Sequence, residues 1–331
     1  MNANVFIATT GNGLVRASLT PEREWSTESL IPEQDVRCLA SDPLNHLVVY
    51  AGTQGSGVLR SEDRGRTWRP AGLEGQIVKS LAVSPSEPGA VYAGTKPPLV
   101  FVSRDGGTHW TELSAFRRIR SRRLWLSPAE KPFTAYVQAI ALSPTDPNII
   151  HVGIEAGATV LSADGGTSWT GHLKGSLRDC HTLISHRSSG DWVYEAGGSG
   201  AGAAVSSDSG RTWTQHKSGL DRHYGWACAA DPARPDVWYV SVSPGAMKAH
   251  SEKSAQAVIF RSMGANWQPL AGGLPQPLNY MPYALLTDPE APGEVYAGLS
   301  DGEVWYSAHY GESWERLPFN LGAINRDLIA L

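Results

Sequence analysis

The chain of 331 residues has only three cysteines, and none of them forms a Cys-x-x-Cys pair, which excludes a disulfide framework and a thiol-built metal cluster. Cys38, Cys180 and Cys228 each fall in an apolar segment and read as buried thiols. No segment approaches 18 consecutive apolar residues, so no membrane-spanning helix is expected. The amino terminus enters strand-like alternation within five residues, without a basic start and an apolar run behind it, so a cytoplasmic location is expected. A charged fraction of 18% with net charge −4 argues against a generally nucleic-acid-binding surface. The one glycine-rich stretch, Gly197 to Gly202, leads into another strand pattern, so the helix terminus that would hold a phosphate is missing. No serine stands in a nucleophile elbow.

What the chain has is one phrase repeated, Ser-x-Asp-x-Gly-x-Thr-Trp. Clear copies contain Ser61/Asp63/Gly65/Trp68, Ser103/Asp105/Gly107/Trp110, Ser162/Asp164/Gly166/Trp169 and Ser206/Asp208/Gly210/Trp213. Two eroded copies end at Trp267 and Trp314, with Ser262 and His309 at the Asp position. The six tryptophans lie 42, 59, 44, 54 and 47 residues apart, which is the period of a β-propeller blade rather than of a helical solenoid. In the first full unit, Val36 to Ala40 reads as the innermost strand, Leu47 to Thr53 as the second, Gly57 to Ser61 as the third and the segment after Trp68 as the outer edge. The same pieces recur from Val78, Val137, Cys180, Gly225 and Pro282. Residues 1–25 supply a second, third and outer strand, and 321–331 supply the missing innermost one. The expectation is therefore an all-β, single-domain, seven-bladed propeller over 1–331, with four-stranded blades and one blade closed by both termini.

The repeated phrase resembles the Asp-box, or BNR repeat, of sialidases, xyloglucan-cleaving glycosidases, sortilin-type receptors and photosystem II assembly-factor propellers. The chain as a whole resembles bacterial single-propeller proteins of the WD40/YVTN/BNR-like class, many of which are labelled glycosyl hydrolases. The resemblance implies the fold and places the box hairpins at the periphery. Asp63, Asp105, Asp164 and Asp208 accordingly read as turn residues whose carboxylates accept backbone N–H bonds while the glycine supplies a positive φ. The three-arginine carboxylate clamp of a sialidase is not recognisable.

Ligands on propellers meet the mouth of the central channel. Aligning the blades puts Arg37, Lys79, Gln138, His181, Trp226, Tyr283 and Asp327 at one position of the inner strands, and none of these is a simple aliphatic. Glu155 stands in a loop between second and third strands, and Glu195 replaces the small alanine of the Val-Tyr-Ala-Gly phrase. His181, His223 and His250 gather in the same sector, with Tyr224, Trp226, Tyr280 and Tyr283 as aromatic faces for a sugar ring. Their separation fits no compact metal motif, so no metal or cofactor is expected. An insertion over residues 115–134 carries five arginines, Arg117 and Arg118 among them, and should cover the mouth.

Three readings follow. In the first, the chain binds an anionic or carbohydrate-like ligand through Arg37, Lys79, Gln138, Arg117, Arg118 and the histidines and aromatics. In the second it is a glycoside hydrolase with Glu155 and Glu195 as acid and base and His181 beside them. In the third it is an assembly scaffold that docks a protein partner on the funnel face. A monomer is expected in each.

Overall fold

Seven antiparallel blades surround one axis, in a computed structural model that describes every residue except Ala265. The closing blade runs outward from Leu328–Ala330 through Val5–Thr9 and Leu14–Leu19 to Trp25–Leu30, with Phe6 opposite Ala330 and Ala8 opposite Leu328. The second blade is Val36–Asp42, Asn45–Thr53, Val58–Ser61 and Arg69–Pro70, within two residues of the sequence expectation at most ends. The inner strands of the other five are Ile77–Val83, Val137–Leu142, Cys180–Ser185, Tyr224–Ala230 and Pro282–Thr287. In blades four and five the outer strand is pared down to a few bonds, from Thr170 N–H to Leu161 O at 2.9 Å and across the Val205–Thr214 bridge.

Blades pack through their second strands, several of which are buried along their whole length, such as Ile150–Ile154 and Val193–Gly197. A strand sandwiched on both faces is mostly apolar, with its few polar residues, such as His151 and Glu195, hydrogen-bonded, and close packing demands small residues where a neighbouring blade approaches. Gly52 shows this: a Cβ there would lie 2.5 Å from Cys38 Sγ and 2.7 Å from Val78 Cγ1. The three cysteines are free and buried between blades.

The repeated turn is built as its residue types dictate. Asp63 Oδ1 accepts N–H bonds from Arg66 and Thr67 at 3.0 and 2.9 Å, and its Oδ2 accepts the Thr67 hydroxyl at 2.6 Å. Gly65 has φ +78°, and Trp68 Nε1 donates to its carbonyl at 3.0 Å. Asp105, Asp164 and Asp208 repeat the bond to the residue four further on, at 2.8 Å in each. The copy ending at Trp314 keeps the Ser307–Gly311 bond without an aspartate. In blade six Ser262 pairs with Trp238 as Ser61 does with Val49, so Ser262 takes the serine position of the box and not the aspartate position, and the stretch from it to Trp267 is two residues shorter than from Ser61 to Trp68.

Candidate functional site: the central channel

Six inner strands break register at the same place, between Val36 and Cys38, Val78 and Ser80, Val137 and Ala139, Cys180 and Thr182, Gly225 and Cys228, and Pro282 and Ala284. A bulge leaves one residue unpaired and re-aims its side chain. The residues so placed include Arg37, Lys79, Gln138, His181, Trp226 and Tyr283. With Asp327 they line a single channel of about 700 Å³. Cross-blade bonds fix the ring: Gln138 Nε2 donates to His181 O at 3.3 Å, His181 Nδ1 donates to Gly225 O at 2.7 Å, and Leu39 N–H donates to Asp327 Oδ2 at 2.8 Å.

One wall is cationic. Glu130, from the insertion, receives Lys79 Nζ at 2.5 Å and Arg37 at 3.1 Å, with Lys96 Nζ at 3.4 Å. Asp35 receives Arg37 at 2.6 Å and Arg326 at 3.1 Å. The Lys79 ammonium lies 4.1 Å from the centre of the Tyr136 ring. Burial lowers Lys79 to about 8, against the pull of Glu130. For Glu130 burial acts upward, but the bonds from Lys79 and Arg37 prevail and hold the carboxyl at about 2. Asp327 is pushed up to about 6 by burial.

Blades four and five, next in the ring, carry two acids and an imidazole. His181 Nε2 lies 3.7 Å from Glu155 Oε2 and 3.6 Å from Asp179 Oδ2. Asp179 Oδ1 accepts the Ala156 N–H at 3.0 Å, tying this acid to the loop that bears Glu155. Burial, and then the Asp179 charge, push Glu155 up to about 8, and burial lowers His181.

Beside these stands an aromatic group. His250, from the loop containing the short helix Ala246–Ala249, links two phenols, with Nε2 2.9 Å from Tyr224 Oη and Nδ1 2.7 Å from Tyr283 Oη. The Trp226 ring centre is 4.5 Å from that of His181 and 5.0 Å from those of Tyr283 and His250.

No protein-family profile and no curated protein matches the chain. Solved structures do. The GH74 xyloglucanase from Xanthomonas campestris superposes with a TM-score of 0.64 at 18% identity over 85% of this chain and 45% of its own. YCF48 from Cyanidioschyzon merolae gives 0.60 at 13% identity, over 89% of this chain and 88% of its own. A YCF48 bound to D1 peptide gives 0.56 at 16%, over 85% and 81%. These likenesses show the fold alone. The chain spans less than half the length of that xyloglucanase.

Several candidates lie outside the channel. Glu195 is fully buried in the wall between blades four and five, where Thr159 Oγ1 donates to Oε1 at 2.5 Å and Leu177 N–H to Oε2 at 2.8 Å. It meets no ligand space, so its assignment as acid or base is corrected to a structural one. Burial pushes it up to about 7. Arg117 and Arg118 are also corrected. The helical turns Ser114–Arg118 and Arg120–Leu124 are anchored by buried Phe116 and Trp125; Arg117 and Arg118 project outward, Arg117 pairing with Glu112, while Arg122 lies against the Phe116 ring, 6.0 Å from its centre. It is Ala129 and Glu130, further along the insertion, that line the channel. His223 is exposed, and Tyr280 packs on the cluster between blades six and seven; neither lines the channel. Sequence reasoning missed Glu130, Lys96, Tyr136 and Arg326. Asp179 was legible only as part of the Asp179-Cys-His181 phrase.

Proposed function

We propose that this chain is a binding propeller of the Asp-box type whose channel takes a small anionic, carbohydrate-like molecule. The observation that carries this reading is the juxtaposition, within one channel of about 700 Å³, of a buried cationic wall and an aromatic wall. Arg37, Lys79 and Lys96 already receive one carboxylate, that of Glu130, so the wall has the chemistry to receive a ligand's. Arg37 Nε is buried without a partner among the described residues, and a buried donor left unpaired favours an incoming acceptor. Trp226 and the tyrosines offer flat apolar faces of the kind on which sugar rings stack. Xyloglucanases of the same fold act on a carbohydrate, which agrees with this class of ligand.

Binding is favoured over hydrolysis because the acid pair does not suit it. With Glu195 in the wall, Glu155 has Asp179 as its neighbouring acid, with ligand atoms within 4.8 Å of each other, while Glu130 is held by Lys79 and Arg37. An inverting glycosidase holds its acids about 6.5–9.5 Å apart to admit a water and a retaining one about 5–5.5 Å apart across the sugar bond, and this pair is closer than either. The test is a thermal-shift screen of sugars, sugar acids and nucleotides against the wild type and Trp226→Ala. A sugar acid that raises the Tm of the first and not of the second supports the reading, because a ligand selective for the native state stabilises it by RT ln(1 + [L]/Kd). A set of neutral sugars as the only hits counts against the anionic part.

A second reading, docking of a protein segment over the mouth, is favoured by exposed apolar side chains on the two insertions. Leu124 is 84% exposed and Met247 89%. A YCF48 of the same fold binds a peptide. Proteins that co-purify with the wild type and not with Leu124→Ser/Met247→Ser would support it; identical sets from the two would count against it.

A further inference from the structure

The three groups Glu155, Asp179 and His181 come from two neighbouring blades and meet at a point. Their ligand atoms all lie within 4.8 Å of one another, the one such group among the described residues. His181 is 5% exposed, and its Nδ1 is committed to the Gly225 carbonyl at 2.7 Å. A carbonyl only accepts, so Nδ1 carries the hydrogen and Nε2 presents its lone pair. That lone pair is aimed at two carboxylate oxygens at 3.6 and 3.7 Å and has no hydrogen bond of its own among the described residues. These separations are too long for direct hydrogen bonds. They match two donors sharing a cation: bonds of about 2.1 Å at angles of roughly 110–120° set donor atoms about 3.4–3.6 Å apart.

We propose that Glu155, Asp179 and His181 form a binding site for a divalent transition-metal ion. The surroundings are those of a ligand set. The Nδ1–H bond to a backbone carbonyl fixes tautomer and ring orientation, as outer contacts of metal-bound imidazoles do. Asp179 Oδ1 is held by the Ala156 N–H at 3.0 Å, which leaves Oδ2 turned toward Nε2. Gly198 makes room for that oxygen, since a Cβ there would lie 2.1 Å from Asp179 Oδ2. Glu155 is 9% exposed, and an ionised carboxylate at that depth requires a counter-charge. One nitrogen and two carboxylates suit zinc or manganese better than calcium or magnesium, which prefer all-oxygen sets. Both Glu155 and His181 line the channel, so an ion here has positions open toward it.

The inference is independent of the sugar-acid reading, and its test needs no organic ligand. The full chain, dialysed against a chelator and then freed of it, is titrated calorimetrically with zinc chloride and with manganese chloride. Uptake of about one zinc per chain with Kd below about 10 µM is expected, with a rise in Tm. Asp179→Asn keeps the bond from Ala156 and gives Nε2 a hydrogen-bond donor, so it preserves the fold while weakening zinc at least tenfold. Glu155→Gln provides the same reading by a second route. Absence of zinc uptake up to 100 µM in the wild type, or unchanged affinity in both folded variants, overturns the assignment in favour of a site that holds only a proton.

Discussion

The Lys79 ammonium lies 2.5 Å from the Glu130 carboxylate, and this contact joins the inner strand of the third blade to the insertion that crosses the channel mouth. Arg37 and Lys96 converge on the same acid. Glu130 is thus both the pin of the insertion and a tethered carboxylate in the cationic wall.

Replacing Glu130 by Gln leaves Lys79 and Lys96 without their counter-charge and Arg37 with Asp35 alone. A loss of about 2 kcal/mol at pH 7 is expected from urea unfolding, below the value for a fully buried pair because Glu130 is partly solvated. Its folded pKa is depressed to about 2, so the stability it contributes is present above the ordinary carboxylate range and is lost as pH falls. The gap between wild type and Glu130→Gln should therefore narrow below about pH 4.5 and close near pH 2. A gap independent of pH would show that the acid acts by packing alone.

Glu195 predicts the opposite slope. Its folded pKa is raised to about 7 by burial, so between about pH 4.5 and 7 the unfolded chain is ionised there and the folded one is not. Stability then falls as pH rises. Glu195→Gln keeps both contacts, since Gln can accept from Leu177 N–H and donate to Thr159 Oγ1, whose own hydrogen turns to the Leu177 carbonyl 3.2 Å away. The variant should match the wild type near pH 4.5 and exceed it by about 3 kcal/mol at pH 8. Equal stabilities at both pH values would contradict the burial account.

The box aspartates hold turns and do not line the channel. Asp63→Ala removes four bonds inside one hairpin and should cost roughly 1–2 kcal/mol in chemical denaturation while leaving ligand affinity unchanged. A loss of affinity at constant stability would point to a role that the peripheral position does not allow.

How far the sequence reached depends on whether a residue belonged to the repeat. Arg37, Lys79, Gln138, His181, Trp226 and Tyr283 were legible because blade alignment compares like with like, and the bulge recurs at that position. Glu195 was visible as an anomaly, but which side of a doubly buried second strand it faced depended on packing between two blades. Glu130 lies in an insertion with no counterpart elsewhere, and the neighbouring arginines drew the reading toward themselves. Buried aromatic anchors, Phe116 and Trp125, hold the turns so that Arg117 and Arg118 face outward. The approach of Glu155 to Asp179 and His181 crosses a blade boundary that no local pattern records.

A channel that reads an anionic group and a ring together should tell a uronic acid from its neutral parent sugar in calorimetric titration. The wild type is expected to bind the acid at least tenfold more tightly, and Lys79→Gln to bring the two affinities together. Equal affinities in the wild type, or a preference for the acid that survives Lys79→Gln, would contradict that reading.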